Sequence, residues 1–152
     1  RPQNIHLTLK FLGDINETEA EQVGRAIFES AKGFAPLALA AKGVGTFPSI
    51  KRPRVIWIGV AGQLNELVGL QKTLDGKLAA IGFPAEKRAF KGHLTLGRAK
   101  GSIGPKQLLE AMTELAGFET EPFMADKVAL FTSELKPSGA VYTKLMEASL
   151  AP

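Results

Sequence analysis

The 152-residue chain contains no cysteine, which excludes disulfide bonds, thiolate metal ligands and cysteine nucleophiles. It also lacks any apolar run near the roughly 20 residues that a membrane-spanning helix needs, and it opens on no secretory signal pattern. A chain of this length can bury roughly 70% of its unfolded surface, so its stability requires neither a disulfide nor a metal. We expect a soluble, cytoplasmic protein.

Two sequence signatures of nucleotide and ester chemistry are also missing. No Gly-x-x-x-x-Gly-Lys-Ser/Thr run is present, which argues against ligation driven by ATP on a phosphate loop. No Gly-x-Ser-x-Gly run is present, which argues against a serine-type triad. The chain does have an excess of 19 Lys and Arg over 15 Asp and Glu, with a pI near 9.4. That balance favours an anionic partner such as a phosphate-bearing substrate or a nucleic acid.

Hydrophobic periodicity predicts interleaved strands and helices. Apolar and polar residues alternate over 5–9, which predicts a strand that Gly13 ends. Asn16 and Glu19 match a capping box, and the helix that follows has one apolar face before Gly33 stops it. That face is formed by Ala20, Val23, Ile27 and Ala31.

The rest of the chain continues this pattern. The predicted helices are 64–81 and a third one that Pro105 opens and Gly117 ends. The links between strands leave both parallel and antiparallel pairing open. We expect a turn-rich link that contains Gly43, Gly45, Pro48 and Pro53. We expect strands at 37–41, 55–60, 94–96, 127–132 and 141–148.

The tetrapeptide His6-Leu7-Thr8-Leu9 recurs as His93-Leu94-Thr95-Leu96, and these are the only two histidines in the chain. Residues two apart in a strand share a face, so each histidine and its threonine point one way while the leucines point into the core. If the two strands are neighbours, two imidazoles and two hydroxyls converge on one cavity about a pseudo-twofold axis.

Such a cavity suits phosphodiester cleavage. An unperturbed imidazole titrates at about 6.5, so near neutral pH one ring can accept a proton from water while the other donates one to the departing oxygen. The hydroxyls of Thr8 and Thr95 can donate hydrogen bonds to the non-bridging phosphate oxygens, where charge accumulates in the transition state.

Two other interpretations of the histidines carry less weight. A catalytic zinc site usually has three protein ligands, and neither tetrapeptide contains a carboxylate to complete the set. A lone histidine on a strand is more often a satisfied, half-buried side chain than a catalytic group. The duplication of the whole tetrapeptide favours the catalytic interpretation.

With these motifs the chain resembles the two-histidine phosphoesterases, and within them the RNA 2′,3′-cyclic phosphodiesterases first described as 2′-5′ RNA ligases. The family signature is a pair of His-x-Thr-x motifs, which stand here within residues 4–13 and 88–98. The similarity covers nearly the whole chain. It extends to Gly45-Thr46-Phe47-Pro48, to Pro53-Arg54-Val55-Ile56-Trp57 and to Tyr142-Thr143.

The resemblance implies an α+β fold in which residues 1–152 form a single bilobal domain. Two mainly antiparallel sheets with flanking helices would surround a basic cleft, with one motif from each lobe. It implies that His6 is the proton donor to the leaving 3′ oxygen and that His93 is the proton acceptor that activates water, leaving a 2′-phosphate. The substrates would be RNA ends that bear a 2′,3′-cyclic phosphate, such as those of tRNA fragments, with no cofactor and no metal.

The resemblance also points to the residues five places after each histidine, Phe11 and Arg98. Their counterparts in the family contact the nucleotide by stacking and by binding phosphate. Strand parity alone would turn both side chains away from the cleft. Gly13 and Gly97 lie nearby, however, and glycine in a strand often marks a bulge that re-aims a side chain. The competing interpretation of Phe11 is plain core packing.

The chain departs from the family pattern in two places. Gly92 stands immediately before His93, where the family usually has proline, and this loosens the start of that strand without removing a reacting group. Family members also usually have a strand and a helix before the first motif, whereas this chain starts only five residues ahead of His6. The resemblance then implies a truncated chain or a sheet short of a strand, whose exposed edge would leave the oligomeric state open.

Three functions compete on this basis. The first is metal-independent hydrolysis of RNA 2′,3′-cyclic phosphates. The second is reversible 2′-5′ ligation in the same site, in which a 5′-hydroxyl of RNA takes the place of water. The third is non-catalytic RNA binding through Lys91, Arg98 and Lys100, with Phe11 for stacking. A pure binding module has no chemical need for the histidine pair.

Overall fold

A computed structural model describes residues 1–152 and has the predicted α+β composition. Its three α-helices are α1 (Glu17–Ala31), α2 (Leu64–Ala80) and α3 (Pro105–Glu114). Its strands are β1 (Leu37–Pro48), β2 (Pro53–Gly62), β3 (His93–Arg98), β4 (Phe123–Ala125), β5 (Lys127–Lys136) and β6 (Gly139–Ser149).

The strands form two sheets, as the resemblance implies. One sheet has four strands in the order β3-β2-β1-β4, and the other pairs β5 with β6. The β1–β2, β2–β3 and β5–β6 pairs are all antiparallel, which decides the pairing that the sequence left open. The predicted α+β fold with two antiparallel sheets is confirmed.

The chain divides into two compact units that alternate along the sequence. The first unit contains residues 1–9, 38–64 and 91–123, and the second contains residues 10–37, 65–90 and 124–152. Because each unit is assembled from three separate segments, neither corresponds to a continuous stretch of the chain.

The predicted strand at 5–9 is wrong in extent. Residues Pro2–Asn4 form a 3-10 turn with proline at its start, a position that suits the fixed φ of proline. Leu7 then makes a single β-bridge with Leu94. The chain therefore reaches the sheet for only one residue of the first tetrapeptide.

The predicted turn-rich link after residue 41 is also wrong in part, since β1 runs on through Gly43 and Gly45 to Pro48. The pairing passes from Ala41–Val60 to Val44–Ile58, which places a β-bulge in β1. Gly43 has a φ of +77°, a conformation that glycine adopts without strain in such bulges. The bulge lets one long strand accommodate residues that read as a break in the sequence.

The helices follow their sequence signals closely. Asn16 accepts a hydrogen bond from the Glu19 N–H at 2.8 Å while the Glu19 carboxylate accepts one from the Asn16 N–H at 3.2 Å, so the predicted capping box is present. Helix α1 ends at Ala31, two residues before Gly33, and packs against β5 and β6. No helix has both the length and the apolar character that a membrane crossing requires.

Candidate active site

The two His-x-Thr tetrapeptides meet through their leucines. Leu7 and Leu94 lie opposite each other in an antiparallel bridge. Antiparallel register then sets His6 across from Thr95 and Thr8 across from His93. Each histidine thus faces the threonine of the other motif, which is the pseudo-twofold arrangement expected from the repeat.

The register also fixes which side chains share a face. Both histidines lie one residue away from the bridged leucines, so they project to the opposite face of the strands from Leu7 and Leu94. His6 and His93 are diagonal neighbours across the pair, and such neighbours lie roughly 7–8 Å apart, with their Cβ atoms somewhat closer. A single group bound on that face can therefore contact both rings.

The expectation of one motif from each lobe is wrong, because both motifs belong to the first unit. β3 is an edge strand of the four-stranded sheet, with β2 on one side. The Leu7 bridge attaches the first motif to the other side of β3. Backbone pairing thus draws the first motif onto the sheet that carries the second.

The backbone holds both imidazoles in the same tautomer. Nδ1 of His6 lies 2.6 Å from the carbonyl oxygen of Asn4, and Nδ1 of His93 lies 2.9 Å from that of Lys91. A carbonyl oxygen only accepts, so in each ring Nδ1 carries the proton and donates it to the carbonyl two residues earlier. Nε2 is then the atom that gains or loses a proton in each ring. The two motifs therefore repeat the same side-chain hydrogen bond as well as the same residues.

The surroundings of the two rings differ. The Phe47 ring packs against His93 in an edge-to-face arrangement, with centroids 5.1 Å apart and an interplanar angle of 80°. The Trp57 ring lies 6.2 Å from His93 and 5.2 Å from Phe47. His93 is half-buried against this aromatic pair, whereas His6 is exposed. The sequence marked Phe47 and Trp57 only as parts of the family pattern and gave no sign that they contact the second histidine.

A glycine makes room for the aromatic pair. Gly45 lies directly opposite Trp57 in the β1–β2 pairing. A Cβ placed on Gly45 would overlap the indole ring, so any larger residue would force Trp57 to move. Gly45 therefore lets Trp57 lie flat across β1, on the face that it shares with His93.

A β-bulge places Arg98 on the face of the catalytic candidates. Thr95 pairs with Trp57, Gly97 pairs with Ile56 and Arg98 pairs with Val55, which leaves Leu96 as the extra residue. Val55 and Trp57 share a face of β2, so Arg98 shares a face with Thr95 and His93. The bulge expected near Gly97 is present, and it reverses the parity that would have turned Arg98 away.

Phe11 is 81% exposed, so the core-packing interpretation of this residue is wrong. It belongs to the second unit, whereas the histidines belong to the first. A stacking role for Phe11 stays a prediction.

Lys10, the residue before Phe11, is held by an ion pair and a hydrogen bond. Lys10 is largely buried, and its ammonium donates to the Asp75 carboxylate at 2.5 Å and to the Pro84 carbonyl at 2.7 Å. The other Asp75 oxygen accepts from the Glu86 N–H at 2.9 Å. The hydrogen bond from Lys10 lowers the pKa of Asp75 below its ordinary value, and the Glu86 N–H acts in the same direction. Sequence reasoning missed this ion pair, because its partners are 65 residues apart.

The structure contains no group of three or more His, Asp or Glu side chains positioned to hold a metal ion. Strand register places the hydroxyls of Thr8 and Thr95 and the Arg98 side chain on the face of the two histidines, and two aromatic rings lie beside His93. Such groups can bind a phosphate by hydrogen bonds and charge and can move protons to and from it.

This fold and its paired motifs define the class of protein as an α+β phosphoesterase. A family model described as LigT-like phosphoesterase matches residues 1–57 and 58–142, and the chain belongs to this family. One relative, from Methanothermobacter thermautotrophicus, is named RNA 2′,3′-cyclic phosphodiesterase and is 35% identical over 144 residues. The match covers 95% of this chain and 77% of the relative.

A second relative carries the same name, and a solved structure has a similar fold. The Aquifex aeolicus protein, named RNA 2′,3′-cyclic phosphodiesterase, is 39% identical over 147 residues, or 96% of this chain and 78% of the relative. A crystal structure from Thermus thermophilus superposes with a TM-score of 0.78 at 29% identity, covering 99% of this chain and 80% of that one.

Proposed function

We propose that the protein hydrolyses 2′,3′-cyclic phosphate ends of RNA to 2′-phosphates by metal-independent acid–base catalysis on His6 and His93. The observation that carries this proposal is the antiparallel Leu7–Leu94 bridge, together with the matched Nδ1 hydrogen bonds of the two rings. The names of the relatives, at 35% and 39% identity over nearly the whole chain, support the same substrate.

Two nitrogen atoms, Nε2 of His93 and Nε2 of His6, carry out the proton transfers of the reaction. Nε2 of His93 accepts a proton from water as the water oxygen bonds to phosphorus. The bond from phosphorus to the 3′ oxygen breaks, and Nε2–H of His6 donates a proton to that oxygen. The products are a 2′-phosphate and a 3′-hydroxyl. One turnover leaves His93 protonated and His6 neutral, so the rings must exchange protons with solvent before the next.

We assign the acid role to His6 and the base role to His93, in line with the family resemblance. The two rings differ in their surroundings, since His6 is exposed and His93 is half-buried beside Phe47 and Trp57. General acid and general base transfer each contribute roughly 100- to 10,000-fold to a rate.

The remaining groups would bind and stabilise the phosphate. The hydroxyls of Thr8 and Thr95 donate to the non-bridging oxygens, whose charge grows as the water attacks. The Arg98 guanidinium, on the face of Thr95, offers a charge-assisted hydrogen bond to the same phosphate. Phe11, with its exposed ring, provides a stacking surface for a base.

We also propose that residues 1–152 act as one domain. Each compact unit is built from three segments that alternate along the chain. Expression of either unit alone would therefore require cutting the polypeptide several times. A cooperative, single unfolding transition is expected, and two separate transitions would contradict a single domain.

The test of the reaction is to identify the product of an RNA that ends in a 2′,3′-cyclic phosphate, with and without EDTA. We expect a 2′-phosphate at an unchanged rate in both conditions. Loss of activity with chelator would contradict the metal-free mechanism. A 3′-phosphate product would contradict the assignment of the leaving oxygen. Lys72→Ala, an exposed change on α2, is the control variant and should give the same product at the same rate as the parent.

A further inference from the structure

The positive charge of the protein is concentrated in the unit that contains both histidines. The first unit has nine Lys and Arg against four Glu, a net charge of +5. The second has ten against eleven, a net charge of −1. The four glutamates of the first unit begin only at Glu110, so segments 38–64 and 91–109 carry eight cations and no carboxylate.

Five of these cations gather at one end of the four-stranded sheet, which we call the basic end. Two lie in the β1–β2 connection, one near the start of β2, and two at or just beyond the end of β3. The β2 and β3 members are held together by a hydrogen bond of 2.8 Å from the Ala99 N–H to the Arg54 carbonyl. All five are exposed, and none makes an ion pair. The basic end consists of Lys51, Arg52, Arg54, Arg98 and Lys100.

A single nucleotide cannot neutralise the whole basic end. A mononucleoside cyclic phosphate has one phosphate, which the proposed mechanism places at the histidines and threonines. Trp57, opposite Thr95, lies four residues along β2 from Pro53, a strand distance of roughly 13 Å. Lys51 and Arg52 lie beyond Pro53 in the connection. These cations can meet only phosphates that belong to further nucleotides.

We propose that four members of the basic end bind the RNA strand upstream of the terminal cyclic phosphate, so that oligonucleotides are preferred to mononucleotides. They are Lys51, Arg52, Arg54 and Lys100, since Arg98 is assigned to the terminal phosphate. The proposal rests on the proposed function for the identity of the terminal phosphate, but the binding itself requires no turnover. Contacts to phosphates position a strand without reading its bases. The preference is therefore one of chain length, and it weakens as salt rises.

The test uses the double variant Lys51→Gln/Arg52→Gln, which changes two exposed residues outside the histidine and threonine motifs. The matched control, Lys72→Gln/Lys77→Gln, removes the same charge from α2 in the second unit. On a ten-nucleotide RNA with a cyclic end, we expect KM to rise roughly tenfold in the first variant with kcat unchanged. On a mononucleoside 2′,3′-cyclic phosphate, kcat/KM should stay within about twofold of the parent.

A binding measurement separates this proposal from the proposed function. Fluorescence anisotropy measures the binding of a ten-nucleotide RNA that ends in a 3′-phosphate. We expect the Lys51/Arg52 variant to bind more weakly, with a slope of log Kd against log salt reduced by roughly 1.4 for the two lost cations. Equal binding by the parent and both variants would overturn the proposed binding of RNA by the basic end. Failure of the parent to cleave either cyclic substrate would overturn the proposed function. The anisotropy result would still show whether the basic end binds RNA.

Discussion

Leu7 and Leu94 lie directly opposite each other in an antiparallel bridge, so the axis that relates the two His-x-Thr motifs passes through a leucine pair and not through the histidines. Each imidazole is set across from the hydroxyl of the other motif. Neighbouring groups on this face therefore come from different tetrapeptides. A phosphate that contacts His6 and the facing Thr95 contacts one residue of each.

The aromatic pair beside His93 depends on the absence of a side chain at residue 45. Gly45→Ala should destabilise the protein by about 1–3 kcal/mol, because the new methyl group overlaps the Trp57 indole. It should also lower kcat, because Trp57 and Phe47 pack against the His93 ring. Urea unfolding and single-turnover cleavage measure the two effects.

Gly76→Ala is the matched control for that change. Gly76 lies in α2 with no atom near the position of a new Cβ, so alanine should stabilise the helix by about 0.5–1 kcal/mol. If Gly45→Ala proved as harmless as Gly76→Ala, the close contact between residue 45 and the indole would be contradicted.

Arg98 should contribute to catalysis through its place on the His93 face. Arg98→Gln removes one charge-assisted hydrogen bond to the phosphate, so kcat/KM on a mononucleoside cyclic phosphate should fall roughly 10- to 100-fold. Lys106→Gln, an exposed change of equal charge on α3, should have little effect. Comparable losses in both variants would indicate a general effect of net charge in place of a specific contact.

The Lys10–Asp75 pair should make stability depend on pH in the acid range. The folded pKa of Asp75 is lowered from 3.8, so its contribution is fully present above that value and is lost as pH falls through the folded pKa. At pH 7 Lys10→Met, which leaves the partly buried Asp75 carboxylate without its cation, should cost about 1–3 kcal/mol.

Thermal unfolding between about pH 7 and pH 2 tests this sign. The difference in Tm between the parent and Lys10→Met should shrink as the medium becomes acid, because protonated Asp75 no longer needs its partner. A difference that stayed constant or grew toward low pH would contradict the assigned direction of the pKa shift.

The sequence predicted most reliably what depends on local spacing. The capping box at Asn16 and Glu19 requires two residues three apart, and the end of α1 near Gly33 requires only a glycine with positive φ. These features need no knowledge of which strands pair. The shared face of the two histidines does need it, because the duplicated tetrapeptide brings the imidazoles together only when the two strands are neighbours.

Features that depend on the register between paired strands could not be predicted from local spacing. The bulge at Leu96, which turns Arg98 toward the His93 face, is defined by the partner strand β2. The continuation of β1 through Gly43 and Gly45 depends on support from β2, which outweighs the local turn preference of glycine. The aromatic pair beside His93 arises from the same long-range pairing.

The central claim is that His6 and His93 act on one phosphate as a unit, and a double-mutant cycle tests it most directly. Single-turnover rates are measured in EDTA for His6→Ala, His93→Ala and the double variant on one RNA with a 2′,3′-cyclic end. We predict that each single change lowers the rate roughly 100- to 10,000-fold and that the double change costs far less than the product of the two. Parent-like turnover by either single variant, or fully multiplicative losses, would contradict the shared site.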